Sequence, residues 1–102
     1  MRRGELWLAE VGRKRRPVLV LTRSEVLDVR SLVTVAEVTT SIRGIAAEVA
    51  VDYTRVGLDR PSAINCDGIH TVAQDLLTKR VGWVGDDVMH GVCSALSYAL
   101  GC

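Results

Sequence analysis

The sequence predicts an α+β protein, a small antiparallel β-barrel or half-barrel closed by a C-terminal α-helix. Three observations carry this. Val and Ile crowd into short runs separated by Gly, Pro, Asp and Asn, as strands and their turns require. Residues 47–53 alternate cleanly, with Ala47, Val49, Val51 and Tyr53 on one face and Glu48 and Asp52 on the other. One stretch alone, DDVMHGVCSALSYAL at 86–100, has helical period: Val88, Val92, Leu96 and Leu100, with Met89 and Cys93 beside them, form an apolar stripe.

Taken in order, residues 5–11 make the first strand, with Leu6 and Leu8 on one face and Trp7 and Ala9 on the other. Gly12 and the cation run Arg13, Lys14, Arg15 and Arg16 form the connection. Residues 17–22 are apolar on both faces, which suits a central strand. Residues 23–30 alternate in no clear way and read as a loop with a helical turn at 24–29. The third strand covers 32–40, its hydroxyl residues gathered at the C-terminal end. Gly44 marks a connection to the strand at 47–53, and residues 54–61, containing Gly57 and Pro61, turn the chain again. Two short strands at 62–66 and 69–72 are broken at Asp67 and Gly68, and 80–84 is another. In the final helix Asp86 or Asp87 is the expected N-cap, and either carboxylate suits the helix dipole. Gly91 inside it costs ~1 kcal/mol against Ala, so a close neighbour is expected there. Gly101 is a natural stop.

At 102 residues the chain is expected to be one domain, residues 1–102, just large enough for a single core. The net charge of +1 hides an asymmetry. Residues 1–30 hold eight Arg and Lys against four acids, and the remainder holds five against eight. A basic end on a balanced protein points to an anionic partner, although a solvated face fits a surplus this small. No apolar run approaches the ~18–20 residues that span a bilayer, and the N-terminus lacks the apolar stretch of a secretory signal. Cys66, Cys93 and Cys102 are odd in number and widely spaced, forming neither a zinc pattern nor a disulfide framework. A reducing cytoplasm fits, with Cys66 and Cys93 as buried small hydrophobes and Cys102 incidental.

The familiar catalytic signatures are absent, with no Walker loop, G-x-G-x-x-G, H-E-x-x-H or G-x-S-x-G. His70 and His90 have no metal-site spacing, so no metal or cofactor is expected. What remains is a set of cations, hydroxyls and carboxylates at strand ends. Arg16 precedes Pro17, which biases its backbone toward extended geometry. A guanidinium held there can grip two phosphate oxygens and stabilise charge building on them, although spacing alone favours a solvated arginine. Thr39 and Thr40 lie on opposite faces, Thr39 with Glu37 and Thr40 with Val38, so one of them at most points at a given site. Either hydroxyl can donate to phosphate; Thr also simply favours strands. In INCDGIH, Asn65 and Asp67 share a face, and Gly68 lets the backbone turn sharply or approach a ligand. Asp67 is a candidate base and His70 a candidate acid, base or phosphate partner, while Asp-Gly is equally a common turn dipeptide.

Together these residues describe a metal-free site able to handle a phosphodiester. RNA suits it better than DNA, because the 2′-OH of RNA can itself attack. A plain nucleic-acid-binding barrel is the simpler alternative. The scarcity of aromatics weighs against it, since Trp7, Tyr53, Trp83 and Tyr98 read more easily as core or interface than as stacking platforms.

The order of the motifs resembles that of the MazF/PemK-like toxins. RRGELWLAEVG, RRPVLVLT, VTVAEVTTSIRG, AINCDGIHTV and the amphipathic helix follow that family over nearly the whole chain. R-G-E-x-W followed by R-P-V-L-V is the most specific part. The resemblance implies an SH3-like, CcdB/MazF-like antiparallel β-barrel with a C-terminal helix. It implies a sequence-selective endoribonuclease of a type II toxin–antitoxin pair, working without metal as a homodimer and silenced by its cognate antitoxin. Its action would be on single-stranded regions of messenger, transfer or ribosomal RNA, leaving 2′,3′-cyclic phosphate and 5′-OH ends. The resemblance places catalysis on Arg16 and Thr39, with Thr40 one residue away, and sets Asp67 at the family's acidic D-Q or E-Q pair. Gly68 departs from the usual Gln, and His70 stands where Lys or Arg is usual. Arg13, Lys14, Arg15, Thr40, Asn65 and His70 are the expected RNA contacts. Many members carry a longer loop with a G-S-E-Q element between the first two strands. Here it shrinks to residues 12–16, which implies a more open groove and a target beyond messenger RNA. The barrel also resembles the CcdB-type toxins, which poison a gyrase by docking and cut nothing; Arg16 and Thr39 argue for the nuclease.

Overall fold

The strands, in chain order, are β1 (Glu5–Val11), β2 (Lys14–Val20), β3 (Leu32–Thr39), β4 (Glu48–Val51), β5 (Ser62–Ala73) and β6 (Leu77–Trp83). The computed structural model describes residues 1–11 and 14–102. All neighbouring strands run antiparallel in one sheet of order β4-β5-β3-β2-β1-β6. A single helical turn, α1 (Tyr53–Val56), follows β4, and α2 (Asp86–Leu100) follows β6.

Period-2 alternation divides the apolar residues between the two faces of this sheet. Leu6, Leu19, Leu21, Ala36, Val38, Ile64 and Cys66 meet Val92 and Ala95 of α2 in the larger core. Ala9, Val18, Val20, Val33, Val35 and Leu77 form a smaller core on the opposite face, under Leu27 from the turn after β2. β2 is therefore covered on both faces, as its unbroken apolar run predicts. Val18, Leu19 and Val20 are all fully buried, each worth about 1.5–3 kcal/mol of transfer free energy.

The half-barrel is drawn together by α1, which leaves the β4 edge and packs on β6 at the other edge. The approach is close. A Cβ on Gly82 would stand 1.7 Å from the Val56 carbonyl oxygen, and one on Gly57 would stand 2.2 Å from that of Val81. Gly57 also ends α1 at φ 91°, a left-handed conformation that glycine adopts without strain.

The first strand and the long helix fall where the sequence predicts them. Elsewhere the structure differs. β2 begins at Lys14, so Lys14, Arg15 and Arg16 extend a hairpin rather than form its connection, Arg15 facing Glu10 and Arg16 facing Ala9. Cations tolerate this because the ladder uses backbone groups and the exposed side chains stay wet. Asp67 and Gly68 do not break the chain into two strands: β5 runs through them. The register jumps from Ala36↔Ile69 to Glu37↔Asn65, so residues 66–68 bulge out of the β3 pairing. β4 is shorter than predicted because Tyr53 starts α1, and β6 starts three residues earlier than predicted, at Leu77. The N-cap of α2 is Gly85 without a side-chain bond; Asp86 and Asp87 sit in the first turn, still complementing the dipole. Gly91 has its expected neighbour in β4, whose Val49 Cγ1 lies 3.5 Å from where a Cβ would be. Among the described residues no helix is long and apolar enough to cross a membrane.

Cys66 is buried as expected, but Cys93 is exposed, with Arg3 Nη2 donating to its Sγ at 3.3 Å. Burial pushes the Cys66 thiol up to about 11, with the nearby charges of Asp67 and Cys93 adding to the effect. The unfolded chain ionises this thiol first, so folded stability falls as pH rises from 9.0 toward about 11. Iodoacetamide at neutral pH is expected to modify Cys93 and Cys102 and to spare Cys66 until denaturant is added. Mass spectrometry reads the count, and three adducts on the folded protein would contradict the packing.

Candidate functional site

Past the end of the smaller core, the same face of the sheet turns polar. β2 presents Arg16, Val18 and Val20 there, and β3 presents Val33, Val35, Glu37 and Thr39. Val18 pairs with Glu37, and the same register carried two residues further sets Arg16 opposite Thr39. Arg16 Nη1 donates to Glu37 Oε1 in a diagonal cross-strand ion pair. β5 adds His70 opposite Val35 and Asn65 opposite Glu37. His70 Nε2 lies 3.1 Å from Glu37 Oε2. The approach is not a hydrogen bond, because the ring nitrogen has no partner in hydrogen-bond geometry among the described residues.

The bulge of β5 brings Gly68 over that carboxylate. A Cβ at Gly68 would stand 2.5 Å from Glu37 Oε2 and 3.1 Å from Asn65 Nδ2, so the absence of a side chain is what admits Glu37. The Arg16 side chain is 33% exposed and that of Glu37 18%. Arg16 Nε is buried with no partner among the described residues, so Glu37 grips one end of the guanidinium only.

Beside Arg16 opens a cleft of ≈ 550 Å³, lined by Lys14, Arg15, Thr39, Thr40 and Ser41 and, from the connection before β5, by Asp59 and Arg60. Thr39 Oγ1 accepts the Ser41 N–H at 3.0 Å, which ends β3 and fixes the hydroxyl. Arg15 Nη2 donates to Thr78 Oγ1 at 3.2 Å. The loop after Thr39 is tied by Glu48, whose carboxylate accepts the N–H groups of Arg43 at 2.8 Å and Gly44 at 3.0 Å. The Arg43 N–H above all holds that carboxyl below its usual range.

The structure thus brings Arg16, Thr39, Thr40, Lys14 and Arg15 to one cleft, and brings His70 to Arg16 through Glu37, with Asn65 opposite Glu37 in register. It does not bring Asp67 there. Asp67 is exposed on the bulge, its N–H donating to Asn65 Oδ1 at 3.1 Å. Arg13 lies outside the described residues. Glu37 is the residue the sequence reading passes over. Its signal is a lone charge among Val33, Val35 and Thr39 on one strand face, where period 2 predicts burial. Among the described residues no group of three His, Cys, Asp or Glu side chains could hold a metal ion.

Cations along one strand, hydroxyls at the end of the next and a half-buried guanidinium between them define an anion-handling site on an open antiparallel sheet. The family model for PemK-like, MazF-like toxins of type II toxin–antitoxin systems matches residues 2–100. A probable endoribonuclease, MazF5 of Mycobacterium tuberculosis, is 39% identical over 103 residues, covering 98% of this chain and 93% of that protein. The solved Mycobacterium tuberculosis toxin MazF-mt6 superposes with a TM-score of 0.89 at 35% identity, over 95% of this chain and 96% of its own. An endoribonuclease in complex with its cognate antitoxin, from a mycobacterial species, gives 0.90 at 27% identity, over 99% and 95%. This chain belongs to the PemK-like, MazF-like family of type II toxins. Its six-stranded sheet and C-terminal helix are the fold of those relatives, which lend no support to the gyrase-binding alternative.

Proposed function

We propose that the chain is the toxin of a type II toxin–antitoxin pair and acts in the cytoplasm as a metal-independent, sequence-selective endoribonuclease. Residues 1–102 form one catalytic domain, which pairs with a second copy and is silenced by its antitoxin. The observation that carries this is the convergence of Arg16 and Thr39, from adjacent strands, on one cationic cleft. The endoribonuclease names of the relatives and the antitoxin-bound mycobacterial neighbour support the same reading.

The chemistry follows from the residues. RNA lies along the cleft, its flanking phosphates neutralised by Lys14 and Arg15, with salt-dependent affinity. The 2′-oxygen attacks the adjacent phosphorus, the P–O5′ bond breaks, and 2′,3′-cyclic phosphate and 5′-OH ends remain. Arg16 opposes the charge that builds on the non-bridging oxygens, and the Thr39 hydroxyl donates to one of them. Arg13, Thr40, Asn65 and His70 contact the RNA. Asp67, exposed on the bulge, meets the strand away from the scissile phosphate.

Purified protein is expected to cut total RNA undiminished in excess EDTA, with mapped 5′ ends bearing hydroxyls. Loss of cleavage on chelation rejects the metal-free mechanism. Binding without cuts reduces the protein to a nucleic-acid-binding barrel, and cuts confined to messenger RNA reject the broader target that the short first hairpin implies.

A further inference from the structure

The reaction needs a group to take the 2′-OH proton, and Asp67, the carboxylate the sequence offers for this, is not brought to Arg16. Asp59 lines the cleft, but its side chain is 85% exposed and faces Arg60 at 3.4 Å. Glu37 is different. It is the one carboxylate among the described residues that touches the Arg16 guanidinium, and it shares a sheet face with Thr39. It is held from two strands, by Arg16 of β2 and His70 of β5. The β5 bulge and the missing side chain of Gly68 make room for it.

We infer that Glu37 is the general base of the cleavage step, an assignment that rests on the ribonuclease reading above. Arg16 spends Nη1 on Glu37 and keeps Nε buried, which leaves Nη2 for phosphate. Glu37 touches Arg16 but does not itself line the cleft, so a phosphate held by that guanidinium is what brings the 2′-OH of the preceding ribose toward the carboxylate. Glu37 takes the 2′-OH proton as the 2′-O–P bond forms. The P–O5′ bond breaks, and O5′ receives a proton from water, which recovers one from the protonated Glu37. Nothing is consumed beyond the RNA. His70 acts as a positioning residue that keeps the carboxylate aimed along the sheet.

The test uses the full chain, an RNA oligonucleotide carrying a mapped cleavage site, and the same oligonucleotide with a 2′-deoxy nucleotide at that site, which binds but cannot be cut. Glu37→Gln is expected to slow single-turnover cleavage about 10²–10⁴-fold while binding the deoxy-substituted oligonucleotide as wild type does, which also reports that the variant is folded. The wild-type rate should rise with pH through an acidic limb that Glu37→Gln lacks. The titratable groups facing Glu37 are Arg16 from β2 and His70 from β5. His70→Asn should retain the acidic limb. Glu37→Asp should recover part of the rate. Cleavage by Glu37→Gln within tenfold of wild type overturns the assignment. So does a parallel loss of rate and affinity, which would make Glu37 a prop for Arg16. If wild type cuts nothing while binding RNA, it is the ribonuclease reading itself that fails.

Discussion

Replacing Arg16 by alanine is expected to lower single-turnover RNA cleavage by at least about 10²-fold, the usual cost of removing one transition-state donor. Affinity for uncleavable RNA should fall much less, because Lys14 and Arg15 still line the cleft. Arg16→Lys should recover little. A lysine ammonium is a point charge on a flexible stem, whereas this site asks one planar group to hold Glu37 at one end and phosphate at the other. Growth arrest on expression provides a second readout. A variant that lacks the guanidinium yet still stops growth and still cuts RNA would remove Arg16 from the chemistry.

The second large effect concerns the closure of the sheet. Gly82→Ala puts a methyl group 1.7 Å from the Val56 carbonyl oxygen, a backbone atom of α1 that no rotamer change can move aside. Overpacking of this kind costs about 1–3 kcal/mol or more, against a total of only ~5–15 kcal/mol for a domain. At ~4–8 °C per kcal/mol the melting temperature should drop by roughly 4–24 °C. Gly91→Ala is the control, since its methyl meets only Val49 Cγ1 at an ordinary 3.5 Å. That helix-interior change should be neutral or stabilising by up to ~1 kcal/mol. If Gly82→Ala melts with wild type, α1 does not close on β6 in solution.

What could be read from the sequence follows from how local each signal is. The α2 stripe needs only its own 15 residues, so its bounds come out unaltered. β1 alternates by itself and is found whole. Lys14, Arg15 and Arg16 look like loop because a charge run says nothing about backbone pairing, which is set by β1 across the hairpin. Asp67 and Gly68 look like a turn because a bulge and a turn use the same residue types. Only the partner strand, with Glu37 needing the space, decides between them. The site divides in the same way. The placement of Arg16 beside Thr39 follows from motifs whose positions a family resemblance supplies. The contact of Glu37 with Arg16 and His70 depends on the relative register of three strands, which no single stretch encodes. Cys93 belongs to the helical stripe by spacing, but α2 lies on the sheet by its Val92 and Ala95 side.

β2 is an interior strand, with ladders to β1 on one side and β3 on the other at Val18–Val20. Detaching it means dismantling the middle of the molecule, so the amide protons of this segment are expected to exchange with solvent only when the whole chain opens. The guanidinium two residues before this segment is therefore anchored to a fully buried, doubly paired stretch of the sheet. Heat is therefore expected to abolish cutting where it melts the protein and not before.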